Sequence, residues 1–191
     1  MYSRVKYLKI YLPAIFAGLL LLSACENDLN KVRAIAAADA TKPLQKTIDV
    51  HVIYSDSAVV KAELTAPLLL QYQTKNPYSE MPNGVKVVFY NAGLVRAGDI
   101  IADSAVNYES KNLIVFRKNV VATNTEGTTY KSDELIWDQK TKQIYSNKAV
   151  LMTKVGGDET RGTSFKSDDK LLNPIFQNAT AIIHVDNSTV Q

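Results

Sequence analysis

Three stretches, Gly98-Asp-Ile-Ile-Ala-Asp-Ser104, Gly127-Thr-Thr-Tyr-Lys-Ser-Asp133 and Gly162-Thr-Ser-Phe-Lys-Ser-Asp168, repeat one pattern. Each has a glycine, a large apolar residue three positions on, and a Ser/Asp pair two positions later, at spacings of 29 and 35 residues. A second element comes after the first two copies. Val106 and Tyr108 match Leu135 and Trp137, and Asn119-Val120 matches Lys148-Ala149-Val150 to within one residue. Asp56-Ser57-Ala58 is a partial earlier echo. Each unit reads as a turn, a short strand, a corner at the polar pair and another strand. One such unit cannot bury its own apolar face, so the units must stack or roll against one another. On this reading Val106, Tyr108, Leu135 and Trp137 line a shared interior. Ser and Asp suit the corners because their side chains bond nearby backbone.

Outward from the repeat, the texture after Thr47 is β throughout. Val50, Val52 and Tyr54 alternate with His51 and Ile53, Val60, Ala62 and Leu64 with Lys61 and Glu63, and Val85, Val87 and Phe89 with Lys86 and Val88. Period-two patterning broken by Asn-Gly, Gly-Asp and Gly-Gly argues for half-buried antiparallel strands. No ten-residue stretch after Thr47 carries a 3.6-residue period, so an all-β domain is expected over 47–191.

The start of the chain is different. Met1 to Lys9 holds Arg4, Lys6 and Lys9 and no acid, and Ile10 to Leu22 is thirteen residues without a charge. A spanning helix needs about 20 apolar residues, so a shorter run behind a basic start reads as an export signal. Leu22-Ser23-Ala24-Cys25 resembles the lipobox that bacterial lipoprotein signal peptidase cuts, which implies a 1–24 signal peptide and a lipidated Cys25. Residues 25–46, rich in Ala, Asp, Asn and Lys, read as a tether with a weak helical pattern around Val32, Ile35 and Ala38. Removing Arg4, Lys6 and Lys9 brings 22 basic side chains level with 19 acidic ones. The sequence pI near 8.8 therefore does not point to nucleic acid. Cys25 is the only cysteine, so no disulfide is expected and the fold must rest on its core.

Several segments carry a family resemblance. Tyr54-Ser-Asp-Ser-Ala-Val-Val-Lys-Ala-Glu-Leu-Thr-Ala-Pro67 resembles the opening strand pair of the LptC family of the lipopolysaccharide export machine. Pro82-Asn-Gly-Val-Lys-Val-Val-Phe-Tyr90 is similar to the segment after that pair in members from Bacteroidetes-like bacteria. So are Ala102-Asp103 with Tyr108, Asn119-Val120, and Ser132-Asp-Glu-Leu-Ile-Trp-Asp138 leading to Ile144-Tyr145-Ser146. The likeness covers roughly Ile48 to Phe176. It implies a twisted, open β-jellyroll whose two sheets part around an apolar groove. That groove takes lipopolysaccharide from the membrane subunits of an ABC transporter and passes it to a jellyroll of the periplasmic bridge. The better-known relatives keep a transmembrane helix where this chain has a lipobox, so the expected location is the periplasmic face of the inner membrane, lipid-anchored, with the outer membrane still open.

On that basis Val106, Tyr108, Leu135, Trp137, Phe89 and Ile144 are groove candidates, with plain core as the alternative for Tyr108 and Trp137. Val50 and Val52 on one edge, and Ile182 and Ile183 on the other, are docking candidates, with a closing strand as the alternative at the second. A lipid conduit needs no nucleophile, metal or cofactor, and the residues suggest none. His51 and His184 are 133 residues apart, Asp133, Glu134 and Asp138 read as corner and solvent-face carboxylates, and Gly156-Gly157 is a turn. An enzyme is not expected. A lipoprotein for another apolar cargo, or a purely structural envelope protein, stays open. Cys25→Ala should leave a larger, uncleaved precursor that takes up no labelled fatty acid, as read by gel mobility and palmitate labelling; normal processing with label would overturn the anchor.

Overall fold

The computed structural model describes residue 31 and residues 42–184. Cys25, the expected signal segment, nearly all of the expected tether and residues 185–191 lie outside them. Residues 42–184 hold fourteen strands and only two single 3-10 turns, at Ala92–Leu94 and Glu109–Lys111. The first seven are β1 (Gln45–Asp56), β2 (Val59–Tyr72), β3 (Tyr78–Met81), β4 (Val85–Tyr90), β5 (Arg96–Ala102), β6 (Ser104–Tyr108) and β7 (Leu113–Asn124). Then come β8 (Thr129–Asp138), β9 (Gln143–Ser146), β10 (Val150–Thr153), β11 (Glu159–Gly162), β12 (Ser164–Asp168), β13 (Ile175–Gln177) and β14 (Thr180–Ile182). Every pairing is antiparallel. The chain folds as the all-β jellyroll the sequence implies.

Hydrogen bonding joins the strands continuously, yet the pairings divide into two runs. One run is 50–56 of β1, 59–66 of β2, β4, β5, 120–124 of β7, 129–132 of β8, β10, β11 and β14. The other is 45–48 of β1, 68–72 of β2, β3, β6, 113–117 of β7, 134–138 of β8, β9, β12 and β13. Long strands β1, β2, β7 and β8 belong to both, so they bend from one sheet into the other.

Each bend has a local cause. In β1 it falls at Asp49, with φ +53, opposite Pro67, which has no N–H to offer the ladder. Between β5 and β6 it falls at Asp103. Across from it Lys118 and Asn119 take left-handed φ values of +63 and +49 in a bulge of β7. Asn119 Nδ2 donates to Asp103 Oδ2 at 2.7 Å, and the Asp103 N–H to the Lys118 carbonyl at 3.1 Å. One unit on, Ser132 Oγ donates to the Ala149 carbonyl at 2.9 Å. At the next, Asn178 Nδ2 donates to Thr163 Oγ1 at 3.1 Å. The corners are polar, as expected: the Ser104, Ser132 and Thr163 hydroxyls donate to the Arg117, Ala149 and Gln177 carbonyls beside the broken ladder, and the asparagine amides tie corner side chains together.

The register corrects the repeat. Ala122 pairs with both Ile100 and Tyr130, and Val120 pairs with Ser132 as Val150 pairs with Gly162. Asp103, Asp133 and Thr163 are therefore equivalent, and the period is 30 residues rather than 29 and 35. Ser167-Asp168 is no corner: it ends β12, where Asp168 accepts from the Leu172 N–H at 2.9 Å and caps the turn after it. The three glycines are not equivalent either. Gly98-Asp99 sits inside β5 rather than in a turn, Gly127 lies between β7 and β8, and Gly162 ends β11.

Residues facing inward from both sheets form one core, with Leu64, Val87, Ile100 and Tyr130 from the first run and Met81, Phe116, Leu135 and Ile144 from the second, all within 1 % of fully buried. At this packing, β5 and β7 approach so closely that a Cβ on Gly98 would lie 2.6 Å from the Thr123 carbonyl oxygen. Gly98→Ala should therefore cost about 1–3 kcal/mol, since backbone on both sides must move. Urea denaturation monitored by circular dichroism measures this, and an unchanged midpoint would contradict the β5–β7 register.

Candidate functional site

The interior between the sheets is built by alternation. Phe116 pairs with Leu135, Ile114 with Trp137, and Trp137 with Ile144, so these side chains share the inner face of the second sheet. Phe89 reaches them from the first sheet. Its ring meets Trp137 edge-on, centroids 4.9 Å apart at 85°. Tyr54 meets the indole in the same way at 5.5 Å and 77°. The structure thus brings together four groove candidates: Phe89, Leu135, Trp137 and Ile144.

Val106 and Tyr108 are not among them. Val106 pairs with Val115, which pairs with Ile136, and Tyr108 pairs with Leu113, opposite Asp138. All of these lie on the outer face. The reason is the 29-residue match: with the true 30-residue period, Ala105 and Asn107 are the counterparts of Leu135 and Trp137. A slip of one residue exchanges the two faces of a strand. Tyr108 instead ends an outer row in which Tyr72 and Tyr78 stack at 4.8 Å and Tyr78 lies 6.2 Å from Tyr108. Lys111 Nζ sits 5.5 Å over the Tyr108 ring.

The protein's own side chains occupy the interior over most of its length. One of them comes from a turn that no periodicity marks. Leu171, with φ +60, is buried to 1 % between β12 and β13. Its carbonyl accepts from Tyr130 Oη at 2.9 Å and from Asn124 Nδ2 at 3.1 Å, both on the opposite sheet. Burial, with Glu126 and Asp168 behind it, raises the Tyr130 phenol to about 12, so it stays a donor. The 169–173 turn therefore latches the two sheets together on the side away from the corners. Sequence reasoning missed it because a single buried residue in an Asp/Asn/Lys-rich turn has no pattern to betray it.

Beside this latch the interior opens into a pocket of about 590 Å³. Tyr54, Phe89 and Trp137 line it, and Lys61, Lys140, Lys142 and Lys170 stand around it with Asp56 and Asp169. Burial, with Glu109 behind it, raises the Tyr54 phenol to about 12. Among the described residues no group of His, Cys, Asp and Glu is arranged to hold a metal, and no helix is long and apolar enough to cross a membrane.

Both expected edges are strands with one partner each. β1 pairs with β2 alone, β14 with β11 alone and β13 with β12 alone. Val50 is buried against the core and Val52 half-buried, while Ile182 is 58 % and Ile183 69 % exposed, the latter just past the end of β14.

The model of the lipopolysaccharide-assembly, LptC-related family matches residues 10–172. No curated protein matches the chain. A match over most of the 191 residues, on an all-β jellyroll, makes this chain a member of the LptC-related family, whose work is lipopolysaccharide transport and assembly in the cell envelope.

Proposed function

We propose that the protein takes lipopolysaccharide acyl chains between its two sheets. It receives them from the membrane subunits of an ABC transporter at the β1 edge and passes them from the C-terminal edge to a periplasmic bridge jellyroll. Cys25 holds it by lipid at the periplasmic face of the inner membrane. Two acyl signals make such an anchor stable where one chain holds only marginally. The observation that carries this reading is a shared apolar interior that begins at one unpaired strand edge and ends at two others. Unpaired edges invite strand addition. Jellyrolls joined in this way would align their interiors end to end.

Because the interior is filled, cargo must part the sheets. The corner side is held by covalent chain and ladder bonds. The opposite side has no ladder across it: Tyr130 and Asn124 bond the Leu171 carbonyl there, and Phe89 and Tyr54 meet Trp137. Opening there, with the corners as hinges, is the easier motion. The same filled interior also suits a purely structural envelope protein, and labelling separates the two.

A photoreactive phenylalanine at position 137 should crosslink to lipopolysaccharide in cells only while the transporter hydrolyses ATP, and one at position 136, on the outer face, should not. Equal labelling at both positions, or none at either, would contradict a conduit and favour the structural role.

At the C-terminal edge, the His184 N–H turns back to Asp158 Oδ1 at 2.8 Å. Alternation then points the Ile183 N–H outward, to the open side. Ile183→Pro should remove that donor and abolish co-purification of the bridge protein while circular dichroism stays unchanged. Ile183→Thr should bind as the parent does. Binding by the proline variant would overturn edge docking at this end.

A further inference from the structure

The pocket at the mouth of the interior holds more than apolar surface. Four ammonium groups, from Lys61, Lys140, Lys142 and Lys170, face two carboxylates, Asp56 and Asp169. Among the described residues only Lys142 of the four forms an ion pair, to Asp56 at 3.4 Å, and that pair is exposed on both sides. Exposed pairs of this kind hold weakly and yield readily to a better partner. Burial, and then neighbouring Asp168, raise the Asp169 carboxyl.

The floor adds a second, independent observation. Trp137, 4 % exposed, keeps its Nε1–H buried, and it is the one buried side-chain polar atom without a hydrogen-bond partner among the described residues. A buried donor left unmade costs about 1–3 kcal/mol, and such an orphan in a packed protein calls for an explanation. Here the donor belongs to a residue that lines a pocket of about 590 Å³, within the roughly 300–1,000 Å³ of small-molecule sites. The nitrogen is itself covered, so an acceptor reaches it only as the floor parts beneath an entering ligand. Tyr54 and Phe89 make the rest of the floor apolar, and the cations stand at the rim.

We propose that this pocket is a headgroup site for a phosphorylated amphiphile. The phosphate lies among the rim lysines, and as the sheets part the first polar acceptor below it takes the Trp137 Nε1–H. The glycerol or sugar unit and the start of the acyl chain lie against Tyr54 and Phe89. The proposal rests on the reading that cargo enters between the sheets, and it assigns the place where the charged end of that cargo stops. Charge-assisted bonds to phosphate are short and strong, so the lysines select for the anion, while the aromatic floor selects for a ligand that carries an apolar chain.

Trp137 is the only tryptophan in the chain, so its fluorescence reports on the pocket directly. The full chain, at a fixed concentration of a neutral maltoside, is titrated with lysophosphatidic acid, with the monoacylglycerol of the same chain length, and with inorganic phosphate. Lysophosphatidic acid should give a saturable spectral shift. Monoacylglycerol should need about tenfold more, as expected for loss of one charge-assisted contact, and inorganic phosphate should give no shift. The Lys61→Gln/Lys170→Gln double variant, folded by circular dichroism, should bind lysophosphatidic acid about tenfold more weakly. Equal midpoints for the charged and neutral lipids would overturn the proposal, and so would a shift from inorganic phosphate alone at the same midpoint. If position 137 labels with lipopolysaccharide in cells while the lysine variant binds lysophosphatidic acid as the parent does, the headgroup site is overturned and the conduit stands.

Discussion

At Asp103, Asp133 and Thr163 the chain leaves one sheet and enters the other, and the rest of the molecule is built around that turn. A strand that bends must give up ladder bonds, and each corner replaces them from nearby polar groups. The Ser104, Ser132 and Thr163 hydroxyls donate to the Arg117, Ala149 and Gln177 carbonyls, while Asn119 and Asn178 tie down the Asp103 and Thr163 side chains. The left-handed residues Lys118, Asn119 and Asn178 absorb the change of direction on the facing strands. With corners recurring every 30 residues on one side, two apolar faces are brought together and a single core results. The opposite side has no such covalent closure, which is why it needs a latch and why it has a mouth.

The sequence carried the strands because burial on one face leaves an alternation that survives translation into residues. Val85, Val87 and Phe89 are inward and Lys86 outward, as the pattern predicts. It carried the corners at Asp103 and Ser132 for the same kind of reason, since polar residues interrupt apolar runs where the ladder breaks. What it did not carry was exact register. Gly98 and Gly127 look equivalent in a line of letters, yet one is a close contact within a strand and the other lies between strands. Aligning on them set the period one residue short and turned Val106 and Tyr108 to the wrong face. Backbone pairing, not composition, decides between 29 and 30. Leu171 and the rim lysines were invisible for another reason: they come together only because turns and a strand distant in sequence converge at the mouth.

The filled interior and the unpaired edges together define the kind of work this fold can do. A core in which Leu135 and Ile144 are wholly buried is stable without cargo, so the protein can wait empty in an aqueous compartment without exposing a long apolar trough. The cost of parting the sheets is confined to one side, where two aromatic contacts on Trp137, an exposed ion pair and two hydrogen bonds to one carbonyl bridge the gap. Cargo delivered with the energy of ATP hydrolysis, rather than by passive partition, fits a container that is closed at rest. Family membership places the chain in lipopolysaccharide transport and assembly.

The most direct test of the account is whether the two sheets separate at the mouth when cargo is present. Ala92 and Lys140 border the pocket from different sheets, and spin labels at these two positions report their separation by double electron–electron resonance. With the transporter and lipopolysaccharide present, ATP should shift the distance distribution to longer values than in the empty protein, and blocking hydrolysis should abolish the shift. An identical distribution with and without cargo, in a preparation that carries lipopolysaccharide, would contradict passage between the sheets.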